Sequence, residues 1–530
     1  MINSRDENYD IVVIGGGAVG SYIALDATLR GYKILLLEKD DFGSKASSKS
    51  SKLVHGGVRY LEKAIKEFDK SQYNLVLEGL KERAIFLKNN SNFSKRLNIN
   101  IPSYSYLSLL KTYIGLYIYR LISGKNNLGK NHFLNKVVSS LLFRNLKIDA
   151  LKGCVSFYDG SFLDFKVVIS LLQTAKQNKA EVKNYCEVVD FIYDKNQKIK
   201  GLNYLDKIKN EIICVFSQVV VNATGANVDN MRLIDDKFAK EILTLSSGIH
   251  IVISKEFLGI EQAILIRNTI DKRVIFVLPY LNHCLIGTTD NKTVYEENPK
   301  VRDFEIEYLL NEVNIYFKKS IKKDDILSSW SGIRPLIKSN KELTQAINRE
   351  HSIFTSNSNL VSIAGGKWTT SRKMAEDLID FLIKDRLLEE KKPCKTQKFR
   401  LEGNFQKKEL LKNLCSFYPI SKQTKESLIT LYGDNAIKIL TLANELKNFE
   451  LINKELPFLI VEIDYCIKYE FVKKAVDFLC RRVGLCFVNK KDALNCVDEV
   501  CKRIGENLSW NEEKIQEDKK ECKDYINNYF

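Results

Sequence analysis

The sequence predicts an α/β protein: a Rossmann-like dinucleotide-binding domain, a substrate domain on a mixed or antiparallel sheet, and a helical C-terminal domain. Three observations point there. Residues 10–38, DIVVIGGGAVGSYIALDATLRGYKILLLE, read as strand, glycine turn, helix, strand and a single acid. Residues 245–290 alternate apolar and polar positions as antiparallel strands do. Beyond Pro393 the chain reads as largely helical, with EFVKKAVDFLCRRVGL its clearest amphipathic element.

In the first stretch, Ile11 to Ile14 form a β-branched run fit for a buried parallel strand. Gly15 permits the tight turn, Gly17 lets backbone approach a pyrophosphate, and Gly20 lets helix and strand pack closely. Helix N-terminal amides then face the phosphate. The helix runs to about Leu29, Gly31 ends it, and Ile34 to Leu37 supply the second strand. Glu38 follows about 20 residues after the turn, where an acid accepts hydrogen bonds from ribose hydroxyls. This motif alone leaves NAD and FAD both open.

At 530 residues the chain exceeds what one core usually fills. The expected division is an oxidoreductase region, 1–392, followed by the helical domain, 393–530. Within the former, dinucleotide-binding segments near 8–75, 150–230 and 355–392 interleave with substrate-domain segments near 76–149 and 231–354. Apolar content of 45% and charged content of 28% exclude general disorder. Lys and Arg number 82 against 66 Asp and Glu, a formal charge of +16. That balance suits an anionic substrate, an acidic membrane surface or nucleic acid, or marks only a lysine-rich surface. No aromatic-rich RNA motif or basic tail accompanies it, so no nucleic-acid partner is expected. The polar start MINSRDENYD shows no signal or transit peptide, and a reducing, cytoplasmic setting is expected. Twelve cysteines lack C-x-x-C or Cys/His ligand spacing, so they are read as core thiols and no metal is expected.

After Glu38 comes DFGSKASSKSSKLVHGGVRYLE, residues 41–62, where small hydroxylic residues precede a His-Gly-Gly turn. Such a segment lays amides and hydroxyls against a ligand. His55 and Arg59 are four apart, on one side if the turn is helical. Together with the fingerprint before it, SSKSSKLVHGGVRYLE resembles the FAD-dependent glycerol-3-phosphate dehydrogenase family. Ala46 departs from it, since threonine is usual before the Ser-Ser pair.

Residues 64–90 have helical spacing and 89–94 read as a loop. The stretch 104–122, YSYLSLLKTYIGLYIYRLI, is the most apolar, yet Lys111, Arg120 and five tyrosines interrupt it. Tyrosine and cations suit the membrane interface, a monotopic contact; a buried core helix and a true span are the other readings. Residues 151–225 give a strand, a turn at Asp159 and Gly160, a helix from Asp164, strands near Val188 and Leu202, and a strand into NATGA. Ala223, Thr224 and Gly225 resemble the tripeptide that closes over the cofactor in two-domain flavoproteins, which moves the balance to FAD. Asn227 stands where the family has a bulky aromatic.

His250 lies in the antiparallel stretch, either a satisfied core histidine or, as the resemblance implies, a residue near the rim of the substrate site. IGTTD, ending at Asp290, lies beside the flavin in relatives. In SSWSGIRPLI, apolar neighbours leave Arg334 needing a partner, and GIRPL matches the family's arginine motif. LVSIAGGKWTTSRKMAEDLIDFLI gives a strand, a Gly365-Gly366 turn and a helix whose N-terminus suits an anionic acceptor such as the flavin pyrimidine edge. Trp368 and Ser371 replace the family's leucine and tyrosine. No EF-hand loop is visible in the C-terminal part.

The resemblance implies oxidation of sn-glycerol 3-phosphate to dihydroxyacetone phosphate, with electrons passed from FAD to a membrane quinone. A peroxide-forming oxidase is the alternative. It places the protein peripherally on the inner face of the cytoplasmic membrane; a homodimer stays open. His55 is the implied base, since imidazole titrates near neutrality, and Arg334 the stabiliser of the developing alkoxide. Arg59, Tyr60 and Lys367 would bind the phosphate, with His250 at the rim. Carried over for FAD are Gly15, Gly17, Gly20, Glu38, Ser47, Ser48, Ser51, Lys52, Leu53, Gly57, Ala223, Thr224, Gly225, Asp290, Gly366, Lys367 and Thr369.

Overall fold

A computed structural model describes residues 2–58, 60–61, 68–259, 262–267, 269–271, 273–338 and 351–530. Ile11, Val12 and Val13 are fully buried in strand Ile2–Ile14, flanked in parallel by Ile34–Leu37 and Glu211–Asn222. Burial on both faces is what a continuous β-branched run requires. Glu181–Lys183 and Leu360–Gly365 extend this sheet in parallel, and His351–Thr355 closes it antiparallel. Helix Ala18–Arg30 ends at Gly31, whose left-handed backbone lets its N–H reach the carbonyls of Ala27 and Thr28.

The second sheet is largely antiparallel. Strand Leu243–Ser254 pairs with His283–Gly287 on one side and Ile326–Ile337 on the other, setting Ser246 opposite Arg334 and His250 opposite Trp330. The two sheets are stitched by Leu53–Val54, the end of the serine-rich loop, which pairs with Gly160 and Ser161 of strand Gly153–Phe162. The chain therefore passes from the glycine turn of one sheet directly onto the other.

Helix Lys70–Asn89 starts at Asp69, whose carboxylate accepts from the N–H groups of Ser71 and Gln72. The helical expectation for 64–90 is met from residue 70; residues 62–67 lie outside the described residues. Helix Tyr106–Ser123 buries Leu109, Leu116 and Tyr119 but exposes Leu107, Leu110, Ile114 and Leu121. It is therefore not a core helix, and no described helix is long and apolar enough to cross a membrane. Val137 and Leu141 of the neighbouring helix Lys136–Leu142 are exposed too.

From Lys408–Cys415 to Glu512–Tyr529 the described elements are helices. All twelve cysteines are free thiols, and all but Cys394 are buried, as core residues are.

Candidate active site

The glycine turn, Glu38, the serine-rich loop and residues 223–227 enclose a cavity of about 290 Å³. A Cβ on Gly15, which has φ +108°, would stand 2.7 Å from the Ala223 carbonyl oxygen; one on Gly20 would stand 1.9 Å from the Gly15 carbonyl oxygen. Only glycine permits this cradle. The Glu38 carboxylate accepts from the N–H of Gly16 at 2.7 Å and of Asp40 at 3.0 Å. Burial, then the nearby Asp40 charge, raises its pKa against those two donors. Ser47 Oγ accepts from the N–H of Ala18 at 2.9 Å, so the loop is fastened to the helix start. Thr224 and Gly225 line the far wall.

Two of the residues expected to meet the cofactor, Lys52 and Ser48, do not line this cavity. Lys52 is buried away from this cavity, its ammonium 2.8 and 2.9 Å from the Asp164 carboxylate oxygens and 2.6 Å from the Ser48 carbonyl. Its Nζ also lies 4.5 Å from the centre of the Phe487 ring and 5.1 Å from that of Trp330. An internal ion pair and aromatic faces satisfy it, so it braces the loop. Ser48 is likewise buried and lines neither the glycine-turn cavity nor its neighbour.

That neighbour, a second cavity of about 300 Å³, is lined by Ser51, Leu53, His55, Gly57, Tyr60, His250, Asp290, Arg334, Lys367 and Thr369. The two meet at Ala46, Lys49, Gly332, Gly366, Lys367 and Trp368. The His55 N–H donates to Thr369 Oγ1 at 3.3 Å, and that hydroxyl lies 3.2 Å from the His55 carbonyl, which fixes the turn. Arg334 donates to Thr288 Oγ1 at 2.9 Å and to the carbonyls of Thr289 and Ser247 at 3.2 and 3.3 Å, with Asp290 3.6 Å away. Ser246 in turn donates to Asp290. Asp290 thus stands on the second cavity, orienting the arginine. Lys367 Nζ lies 5.4 Å from the Tyr60 ring centre and close to Gly57. Arg59 lies outside the described residues.

His250 forms buried wall, not rim. Its ring stacks on Trp330 with centroids 5.4 Å apart, and burial, then Arg334 and Lys52, holds its pKa well below the usual value. Trp368 turns inward: its Nε1 donates to the Ser47 carbonyl at 3.0 Å, and its ring meets Phe86 and Phe162 edge-on. The sequence reading passed over Lys49, a buried cation at the junction of both cavities. Its Nζ has no hydrogen-bond partner among the described residues, and burial, with Lys45 and Arg481, lowers its pKa to about 7. Only its place between four serines hinted at this. The binding cradle, the acid for a ribose and the cationic second chamber fit an adenine dinucleotide cofactor.

This fold and site define an FAD-dependent oxidoreductase. Residues 10–378 match the FAD dependent oxidoreductase family, and residues 394–515 match the C-terminal domain of alpha-glycerophosphate oxidase. A probable mitochondrial glycerol-3-phosphate dehydrogenase of Dictyostelium discoideum is 35% identical, the match covering 98% of this chain and 84% of that protein. The crystal structure of a Bacillus halodurans glycerol-3-phosphate dehydrogenase complexed with FAD superposes with a TM-score of 0.78 at 28% identity, covering 98% of this chain and 95% of that one. An L-alpha-glycerophosphate oxidase of Mycoplasma pneumoniae with FAD bound shares the fold, at a TM-score of 0.56 and 16% identity over 74% of this chain and 99% of that one. The chain belongs to the FAD-dependent glycerol-3-phosphate dehydrogenase family, and its cofactor is FAD.

Proposed function

We propose that this protein oxidises sn-glycerol 3-phosphate to dihydroxyacetone phosphate and delivers the electrons to a membrane quinone. The observation that carries this is the continuity of the FAD cavity with a chamber holding His55, Arg334 and Lys367. FAD, when bound, supplies the acceptor for a hydride. The protein must therefore hold a phosphate dianion, take the proton of the secondary hydroxyl and stabilise the oxygen left behind. Lys367 and Tyr60, with Arg59, bind the phosphate, since ammonium and guanidinium groups suit its oxygens. His55 takes the hydroxyl proton, and Arg334, held by Thr288 and backbone carbonyls, faces the alkoxide oxygen as negative charge builds. His250 stays neutral and serves as wall. The remaining cofactor residues named from sequence, apart from Lys52 and Ser48, line one or other chamber or, like Gly20, shape the turn.

Residues 1–392 form the oxidoreductase region and 393–530 the helical domain. Helix Tyr106–Ser123 rests its apolar face on the inner surface of the cytoplasmic membrane, which brings the flavin near a lipid-soluble quinone. Adding glycerol 3-phosphate anaerobically to the yellow protein should bleach the flavin, and a quinone should restore the colour. A flavin that stays oxidised would overturn the substrate. Fast oxygen uptake with peroxide at full turnover would replace the quinone by oxygen.

A further inference from the structure

We propose that Arg481 and Arg482 of the C-terminal helical domain are positioning residues for FAD, acting through Asp41 on the loop that closes over the glycine turn. This rests on the glycine-turn cavity being the FAD site. Asp41 follows Glu38 by three residues and is buried. Arg482 grips its carboxylate as a fork, Nη1 to Oδ2 and Nη2 to Oδ1, both at 2.8 Å, and Arg481 Nε donates to the same Oδ2. Asn184 Nδ2 adds a contact at 3.3 Å. The arginines are themselves fixed: Arg482 Nε donates to the Glu470 carbonyl at 2.8 Å, and Arg481 pairs with Asp477, which also accepts from Tyr185.

The grip passes on to the cradle. The Asp41 carbonyl accepts from the N–H of Ser44, and the N–H of Gly43 donates to the Gly16 carbonyl at 3.0 Å, inside the glycine turn. Phe42 lies between: a Cβ on Gly16 would stand 2.5 Å from its ring, whose other side meets Phe471 of the C-terminal domain edge-on at 5.2 Å. Gly43, Ser44, Lys45, Ala46 and Ser47 all line the FAD cavity. A charged fork and an aromatic contact from one short C-terminal segment thus set the position of that wall. Two carboxylates and two guanidiniums balance in charge, so the cluster can stay buried.

The test compares holoenzymes by the rate at which FAD leaves on dilution, followed by flavin fluorescence. Arg482→Lys keeps the charge but loses the fork, and should release FAD about tenfold faster or more. Arg503→Lys breaks a bidentate but partly exposed pair with Asp464 inside the helical domain, neither residue of which bonds to the loop among the described contacts, and should release FAD at the wild-type rate. Equal release from the two variants, at matched loss of thermal stability, overturns the proposal. Should Arg482→Lys fail to fold, Phe471→Leu is read the same way against Arg503→Lys. Failure of the wild-type protein to retain FAD would instead remove the cavity assignment itself.

Discussion

Ser51 Oγ and His250 Nε2 lie 2.8 Å apart, tying the serine-rich loop behind the glycine turn to strand Leu243–Ser254 of the second sheet. The imidazole is stacked on Trp330, and Arg334 and Lys52 oppose its protonation in a buried site. A ring held neutral between two cations is a poor place to park a proton. The contact therefore builds one wall of the second chamber and, under the proposed function, leaves proton transfer to His55.

The two histidines should separate in kinetics. His55→Asn is expected to slow flavin reduction by about 10²- to 10⁴-fold, as loss of a general base does. His250→Asn should change the rate by less than about tenfold, because burial, then Arg334 and Lys52, keeps its ring neutral. Stopped-flow flavin reduction across pH 6 to 9 decides it. A large loss in His250→Asn with His55→Asn near the wild-type rate would exchange their roles.

Arg334→Ala should keep FAD bound, since the residue lines only the second chamber, yet lower flavin reduction by about 10²- to 10³-fold, the usual cost of removing one donor at a developing oxyanion. Flavin content and reduction rate are measured on the same sample. Unchanged reduction would take Arg334 out of the reaction.

How much of this was legible before folding depended on how far apart in the chain the partners lie. Gly15, Gly17, Gly20 and Glu38 act within one local unit, so their spacing alone announced the cradle and the acid. Nothing near Lys52 records the pairing of its ammonium with Asp164, which stands 112 residues away. The expectation for His250 erred in place and not in chamber, since β alternation gives a face but not the depth of burial. The grip of Arg482 on Asp41 spans 441 residues and left no local signal beyond a charged pair in an amphipathic helix. Helix 104–122 was apolar enough for three readings. Which side chains it exposes depends on the strands beneath it, Ser94–Ser103 and Gly153–Phe162.

Lys49 gives a pH dependence. Its amine has a pKa of about 7 in the folded protein, against an ordinary value of about 10.4 in the unfolded chain. Between these values the unfolded chain binds more protons, so the stability of the FAD-free protein should rise as pH climbs from about 7 to about 10. Lys49→Met removes the buried amine; it should flatten that slope and raise stability at pH 7 by about 2–4 kcal/mol. Denaturant midpoints for both proteins over this range check it. A slope that survives in Lys49→Met would assign the effect to another group.

The proposed membrane contact turns on Leu110, Ile114 and Leu121, which are 57%, 49% and 57% exposed on one helix. Apolar side chains left in water on a single face lose about 25 cal/mol for each Å² kept wet, and a bilayer interface would relieve that for all three together. The cations Lys111 and Arg120 on the same helix add attraction to anionic headgroups. Replacing the three apolar residues with glutamate reverses both terms, so co-sedimentation with vesicles of anionic phospholipid should fall from most of the protein to little of it. Reduction of a soluble dye should be retained, because the chamber of His55 and Arg334 is lined by other residues. Quinone reduction in the same vesicles should fall with binding. If the triple variant still sediments with the vesicles, this face is not what meets the bilayer; if it detaches yet reduces quinone at the wild-type rate, electron delivery does not need the contact.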